Sequence, residues 1–460
     1  MRIDTVIKSK DPLDLSKIRA LVAPYLDRKD LVICLRVSRD WFNDFVGFVW
    51  HTIDMTKDKK FVGIGPKILH KYGHCIRQVF NIQVFGHLKT LQHPKVDSVV
   101  STSIVNFIVP GARLLAFDFI RRCNATLTEL DLSAPPMDSS RHPYNSDEAY
   151  FDIGAMSSCL RSPTGHFTVG TRLTSLSLTG IWFSHEGFTN LLRSSPTLRK
   201  LALSKVVTVH YTGELEFDIF RDASVTSLRA SLAEICMPDP GPGWAPSLLH
   251  QFSRLEEWHL TAVDRPENWD SEADFRRQLE ECCPRLKALR FDPVDDTDKL
   301  SDLLLDSFTK LGSCTFSAKN LSNSMVLSLI SHSNTLTTII ITDKCTNAEA
   351  MRRLYLIPKS CLRLWVLSIR DLVLDMAIVE QHEWSCEELT ELHVRFKGLE
   401  DTQLIDGFIK EMCYQRQRPY EFYPGDSISE QVSNHLFRFY RLTTICLGTK
   451  VYSLPIPFEE

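Results

Sequence analysis

Cysteine and histidine have the widest chemical repertoire of any side chains here, and the chain carries thirteen of the first and fifteen of the second. A zinc site needs such ligands gathered at one point, most often as closely spaced pairs. Cys282-Cys283 are adjacent instead, so on a helix they turn away from each other, and core filling between Leu279 and Leu286 is the better reading. His74-Cys75 has no second ligand pair nearby. A thiolate nucleophile needs an electropositive setting, and no cysteine stands in one. His259 and His393 fall at outward positions of expected strands, where surface contact is the expected role. The Gly-x-Ser-x-Gly elbow, the phosphate-binding loop with its Lys-Ser/Thr and the His-Glu-x-x-His zinc helix are all missing from the sequence. The expectation is a chain that is not an enzyme and needs no cofactor or metal.

Composition bounds the remaining classes. Over 460 residues the chain is 43% hydrophobic and 24% charged, with a formal net charge of -4, so nothing draws it toward nucleic acid or an anionic membrane. The N-terminal ten residues alternate charged and apolar side chains, unlike a secretory signal. The most apolar stretch, Val99 to Ile120, is broken by Arg113, Asp118 and Pro110-Gly111, short of the roughly 20 uninterrupted apolar residues a membrane span requires. An odd number of scattered cysteines without a signal then reads as reduced thiols in a cytoplasmic or nuclear protein.

What organises the chain is a repeated Leu-x-x-Leu-x-Leu pattern. Clear copies begin at Leu127, Leu173, Leu198, Leu255, Leu286, Leu336 and Leu389, and weaker ones at Val79, Val225, Leu311, Leu364 and Leu442. From Leu173 to Leu389 the steps are 25, 27, 30, 31, 25, 25, 28 and 25 residues, at and slightly above the roughly 20–29 of a leucine-rich repeat. The last two apolar positions lie two apart and so share one face of a short strand. Helical spacing follows in Phe188–Leu192, Phe275–Cys283 and Met325–Ile330. A strand and a helix cannot bury their apolar faces alone, so neighbouring units must stack. The predicted fold class is therefore α/β, a curved leucine-rich-repeat solenoid with an inner parallel sheet. A doubly wound α/β sheet also alternates strands and helices, but near-constant spacing favours the solenoid. The long steps place insertions near 134–170, 238–247 and 397–434. The steps of 48 and 46 residues after Val79 and Leu127 each hold either a degenerate repeat or a long loop.

Residues 9–55 do not fit the repeat, whose array occupies 56–460. Ile18, Leu21, Val22, Tyr25 and Leu26 form one apolar stripe of a helix that Ser16 is placed to cap and Pro24 to end or kink. Asp30 is the expected cap of a second helix with Leu31, Cys34, Leu35 and Val37, and a third carries Trp41, Phe45, Phe48 and Trp50. Three such short helices are small for an autonomous domain. On spacing alone they serve equally well as a cap on the first repeat or as a docking module.

The run Pro12-Leu13, the stripe to Tyr25-Leu26, Asp30-Leu31, Cys34-Leu-Arg-Val37-Ser38, Trp41 and Trp50 resembles the divergent, F-box-like variety of the F-box. The family usually opens Leu-Pro followed by an acidic residue, whereas this chain has Asp11-Pro12-Leu13. F-box helices followed by leucine-rich repeats are a common layout of that family, so the resemblance extends over essentially the whole chain. It implies a substrate-recognition adaptor of an SCF-type ubiquitin ligase. Pro12, Leu13, Ile18, Leu31, Val37, Trp41 and Trp50 would meet the Skp adaptor, and through it a cullin-RING ligase, while the repeats hold a protein client.

For that client the outward strand positions are the natural contact points. Charges of both signs alternate along them, which argues against a phosphate-tracking stripe. The outward strand positions from Ser313 to Thr342 are uncharged and partly apolar, with Ser313, Thr315, Thr338 and Ile340 outward and Arg370 and His393 at a charged rim. Outward Ser and Thr are also ordinary strand surface, and that reading stays open. Two other functions remain: a leucine-rich-repeat scaffold without a ligase, and a hydrolase or transferase site within 397–434.

Overall fold

Each copy of the repeat forms a strand because its second and third apolar residues face inward together while the residue between faces out. In the computed structural model, residues 16–54, 66–80, 96, 98–103, 123, 126–133, 172–179, 182–184, 188, 191–193, 195–204, 207–209, 223–230, 251–261, 272–291, 304–308, 310–343, 352–399, 401–417 and 428–455 are described. Two compact units divide the chain, Met1–Glu214 and Leu215–Glu460.

The first unit opens on three helices, α1 (Ser16–Val22), α2 (Arg28–Cys34) and α3 (Arg39–His51), with a 3-10 turn over Ala23–Tyr25. That turn carries Pro24, where the ring ends α1 as its missing N–H requires. Asp27, not Asp30, caps α2, accepting from the Asp30 N–H at 2.9 Å. Ser38 caps α3 through the Trp41 N–H, so the Ser-x-x-Trp spacing has a local cause. Ser16 does not act as the expected cap; its hydroxyl donates to Asp44 on α3 at 2.7 Å.

There follow β1 (Thr52–Asp54), α4 (Pro66–Tyr72), β2 (Gln78–Phe80), β3 (Ser98–Ser103), β4 (Glu129–Ser133), β5 (Ser175–Thr179), β6 (Trp182–Ser184), β7 (Lys200–Ser204) and β8 (Val207–Val209). Strands β1, β2, β3, β4, β5 and β7 pair in that order, all parallel, while β6 and β8 form a separate pair. The long step after Val79 therefore hides a degenerate repeat, β3, with Val96 fully buried at its first apolar position. After Leu127, β4 pairs directly with β5, so no strand stands between them in the sheet. The insertions near 134–170 and 238–247 lie outside the described residues.

The second unit contains β9 (Ser227–Ala230), β10 (Glu257–Leu260), α5 (Glu272–Cys282), β11 (Ala288–Phe291), β12 (Ser313–Ser317), α6 (Asn323–Ser331), β13 (Thr338–Thr342), α7 (Leu356–Ser360), β14 (Val366–Leu374), α8 (Met376–Gln381), β15 (Glu391–Phe396), α9 (Thr402–Gln417), α10 (Ile428–Phe437), β16 (Thr444–Leu447) and β17 (Lys450–Ser453). Strands β9 to β16 pair in chain order, every pair parallel, and β17 closes the edge antiparallel. Each unit is thus a parallel sheet built one strand per repeat, with no reversal of strand order, as a leucine-rich-repeat array requires and a doubly wound sheet does not.

One register row of the second unit, Leu228, Trp258, Leu289, Cys314, Ile339, Leu367, Leu392 and Ile445, is buried from end to end. Threonines staple successive repeats in both units. Thr126, Thr197 and Thr335 each precede the first apolar residue of a repeat, and each donates to a backbone carbonyl of the repeat before: Val96, Leu173 and Leu311 respectively. At the C-terminal end the guanidinium of buried Arg416 donates to the carbonyls of Phe439 at 2.9 Å and of Leu442. That bond set ties α9 to the turn before β16. Among the described residues no helix is long and apolar enough to cross a membrane.

Candidate protein-docking surfaces

The helical module has a very small interior. Ala23, Leu31 and Phe45 are buried, with Leu26, Cys34, Leu35, Trp41, Phe48 and Val49 packed partly around them. Arg19, itself buried, joins α1 to α3 through Asp44 at 2.5 Å and lies 5.9 Å from the Trp41 ring centre. The Ser16 hydroxyl, helped by Arg19, holds the Asp44 carboxyl below the usual carboxylate range. Neither Arg19 nor Asp44 carried any signal in the hydrophobic spacing.

Because three helices offer so little interior, a group of their apolar side chains on α1, α2 and the turns that follow them stays exposed. Tyr25 is 90% exposed, Leu21 71%, Ile33 61% and Val37 58%, with Val22 and Val32 beside them in the chain also exposed. The expected stripe of α1 is thus not a buried face: Leu21, Val22 and Tyr25 face water, and the polar Arg19 is turned inward in their place. Leu31 is 6% exposed and belongs to the core, Ile18 is half-buried, and Trp41 packs on Phe45 at 5.4 Å. Trp50 stacks on Tyr72 of α4 at 5.5 Å, which makes it a joint between α3 and the helix that follows. Val37 remains open to a partner. Pro12 and Leu13 lie outside the described residues.

On the repeat array, Ser313, Thr315, Thr338 and Ile340 lie in adjacent register on β12 and β13, all half-buried, around inward Cys314 and Ile339. The next strand departs from the spacing. Strand β14 has a register shift between Ser368 and Val373, so Ser368 pairs with Ile340 and His393, and Arg370 stands in the irregular segment. Freed from the ladder, Arg370 reaches over β15 and donates from Nε to His393 Nδ1 at 2.8 Å. An arginine cannot accept, so Nδ1 is unprotonated and the ring proton sits on Nε2. Nε2 lies 2.6 Å from Glu391 Oε1, although poorly aligned for a hydrogen bond.

His393 is therefore 6% exposed and not the surface contact its outward position predicts, because Arg370 and Glu391 cover it. Burial first, and then the Arg370 cation, push its pKa below the histidine range against the opposing pull of Glu391. Replacing Arg370 with glutamine removes both the cation and part of the cover. The His393 pKa should rise, as read by NMR titration of the ring; an unchanged or lower value contradicts this geometry.

The candidate thiols do not gain reactivity. Burial raises Cys314 and pushes Cys361 and Cys386 to about 12, and the described cysteines are free. Cys282 and Cys283 are both buried beside Leu279 and Leu286. Among the described residues no three metal-ligating side chains gather.

No protein-family model and no curated protein matches the sequence. Solved structures similar to the chain include a TLR13–ssRNA13 complex and an internalin (inlF) from Listeria monocytogenes str. 4b F2365. The first is 12% identical over 76% of this chain and 44% of its own, with a TM-score of 0.36. The second is 15% identical over 72% of this chain and 76% of its own, with a TM-score of 0.30. The chain thus spans less than half the length of the first.

Proposed function

We propose that the chain is a substrate-recognition adaptor of an SCF-type ubiquitin ligase. Its helical module docks the Skp adaptor, its repeats hold a protein client, and the transfer chemistry is done by other subunits in the cytoplasm or nucleus. The observation that carries the reading is the run of exposed apolar side chains from Leu21 to Val37 on a module whose buried cluster, among the described residues, is Ala23, Leu31 and Phe45. Water would not leave so much apolar surface uncovered on so small a body without a partner to cover it. The F-box resemblance names the partner. A scaffold without a ligase would use the same strip, and the two readings differ in whether cullin arrives with the adaptor.

Ile33 and Val37 are the positions to change, since both are exposed and neither supports the core. We expect Ile33→Asp with Val37→Asp to abolish capture by purified Skp adaptor in a pull-down while circular dichroism stays native. Undiminished capture by the double variant would sink the docking assignment. Adaptor capture without any cullin, from a mixture of the purified subunits, would favour the scaffold.

A further inference from the structure

The turns that precede the strands of the second unit carry a feature that neither the module nor the outward face uses. From the β10 repeat onward, the residue just before the first apolar position of each repeat is Arg254, Arg285, Lys310, Thr335, Arg363, Glu388 and Arg441. Five of these seven are cations, and all five are exposed. The turns are built alike: the N–H of Leu255, Leu286, Leu364 and Leu442 donates to the carbonyl three residues back, on Phe252, Cys283, Cys361 and Phe439. Equivalent turns on neighbouring strands stand about 4.8 Å apart, so these side chains form a ladder along one edge of the sheet. Among the described residues Arg254, Arg285 and Lys310 have no ion-pair partner, while the nearby Lys287 is engaged by Glu256 at 3.4 Å.

At the far end of the ladder one carboxylate links two exposed aromatic residues, Trp365 directly and Tyr440 through Arg441. The Trp365 indole N–H donates to Glu388 at 2.7 Å, yet the residue is 52% exposed. Glu388 also lies 3.8 Å from Arg441, whose guanidinium sits 5.5 Å over the ring of the exposed Tyr440. Leu362, in the turn before Trp365, is exposed as well. Trp, Tyr and Arg are the residues most enriched at the energetic centres of protein interfaces, and fixing them in advance lowers the cost of binding.

We propose that this edge docks an extended acidic polypeptide segment. Its carboxylates lie along Arg254, Arg285 and Lys310, and an apolar side chain rests on Trp365 and Tyr440. Basic and aromatic residues together also suit single-stranded nucleic acid. Here Arg441 already covers one face of the Tyr440 ring, which leaves too few open platforms for a run of stacked bases, so the peptide is the better fit. The site is separate from the helical module and does not depend on what the module binds.

The test uses the full chain and a fluorescein-labelled synthetic peptide of interleaved Glu, Asp and Phe, read by anisotropy at low and high salt, with labelled oligouridylate in parallel. Saturable peptide binding is expected, weakened by salt. Reversing the ladder with Arg254→Glu, Arg285→Glu and Lys310→Glu should weaken it about ten-fold, and so should Trp365→Ala. Skp-adaptor capture should not change in either variant, which keeps this result independent of the module. If the charge reversal disturbs the fold by circular dichroism, glutamine at the same three positions serves in its place. Peptide binding that is absent, or equal in native and reversed chains, overturns the proposal. Oligouridylate bound more tightly than the peptide, and lost on reversal, would make the edge a nucleic-acid surface instead.

Discussion

Trp258→Ala should cost the second unit roughly 3–5 kcal/mol of stability, the usual range for deleting a buried aromatic. Trp258 is 1% exposed and the largest of the fully buried side chains, and it stands in register between Leu228 and Leu289. Removing the indole leaves a void flanked by strands on both sides. In a stacked array each repeat is stabilised mainly by its neighbours, so the loss falls on two interfaces at once. Trp258→Leu should cost much less. Leucine is what the repeat carries at most equivalent positions, and it also removes a buried indole N–H that has no hydrogen-bond partner. Urea unfolding of the three chains measures both differences. An alanine variant within about 1 kcal/mol of the native chain would mean that the site relaxes and that β10 is not a packed member of the sheet.

Acid should weaken the same unit through His435. The ring is buried edge-on against Trp384 at 4.8 Å and Phe439 at 5.5 Å, and its Nε2 has no hydrogen-bond partner. Burial, with Arg438 adding to it, lowers its pKa from 6.5 to about 4. In the unfolded chain the ring takes up a proton as pH falls below 6.5, while the folded chain refuses that proton until pH reaches about 4. The neutral ring's contribution is therefore complete above 6.5 and is lost progressively between 6.5 and 4, amounting to on the order of 3 kcal/mol in all. Carboxylates titrate below this window and overlap it, so the informative quantity is the difference from His435→Leu. Urea midpoints taken from pH 7.5 down to 5 should fall more steeply for the native chain than for the leucine variant. Parallel curves would show that His435 is hydrated in the folded state.

The repeats were legible in the sequence because burial acts on every copy in the same way. The apolar starts at Leu173, Leu198, Leu255, Leu286, Leu336 and Leu389 each lead into a strand two residues later, and α5 and α6 fall where helical spacing places them. Strand β3 was only half legible, since Val96, Val99 and a register shift replace the leucines. The antiparallel β17 has no repeat to announce it, because an edge strand needs only one neighbour. Contacts between side chains distant in sequence left no periodic trace. Arg19 with Asp44, Arg370 over His393 and Trp365 on Glu388 depend on where turns and a shifted register aim long polar side chains. The same limit explains the module. Its helices follow from spacing, but which stripe turns inward depended on an ion pair, and that choice leaves Leu21, Tyr25, Ile33 and Val37 exposed.

That exposed strip bears the central claim, and an equilibrium titration of the full chain with purified Skp adaptor tests it most directly. The prediction is a saturable one-to-one complex of the native chain that Ile33→Asp with Val37→Asp weakens by at least about a hundred-fold, as expected when a desolvated apolar contact is replaced by two buried charges. A native chain that does not bind the adaptor, or a double variant that binds it equally well, would contradict the account.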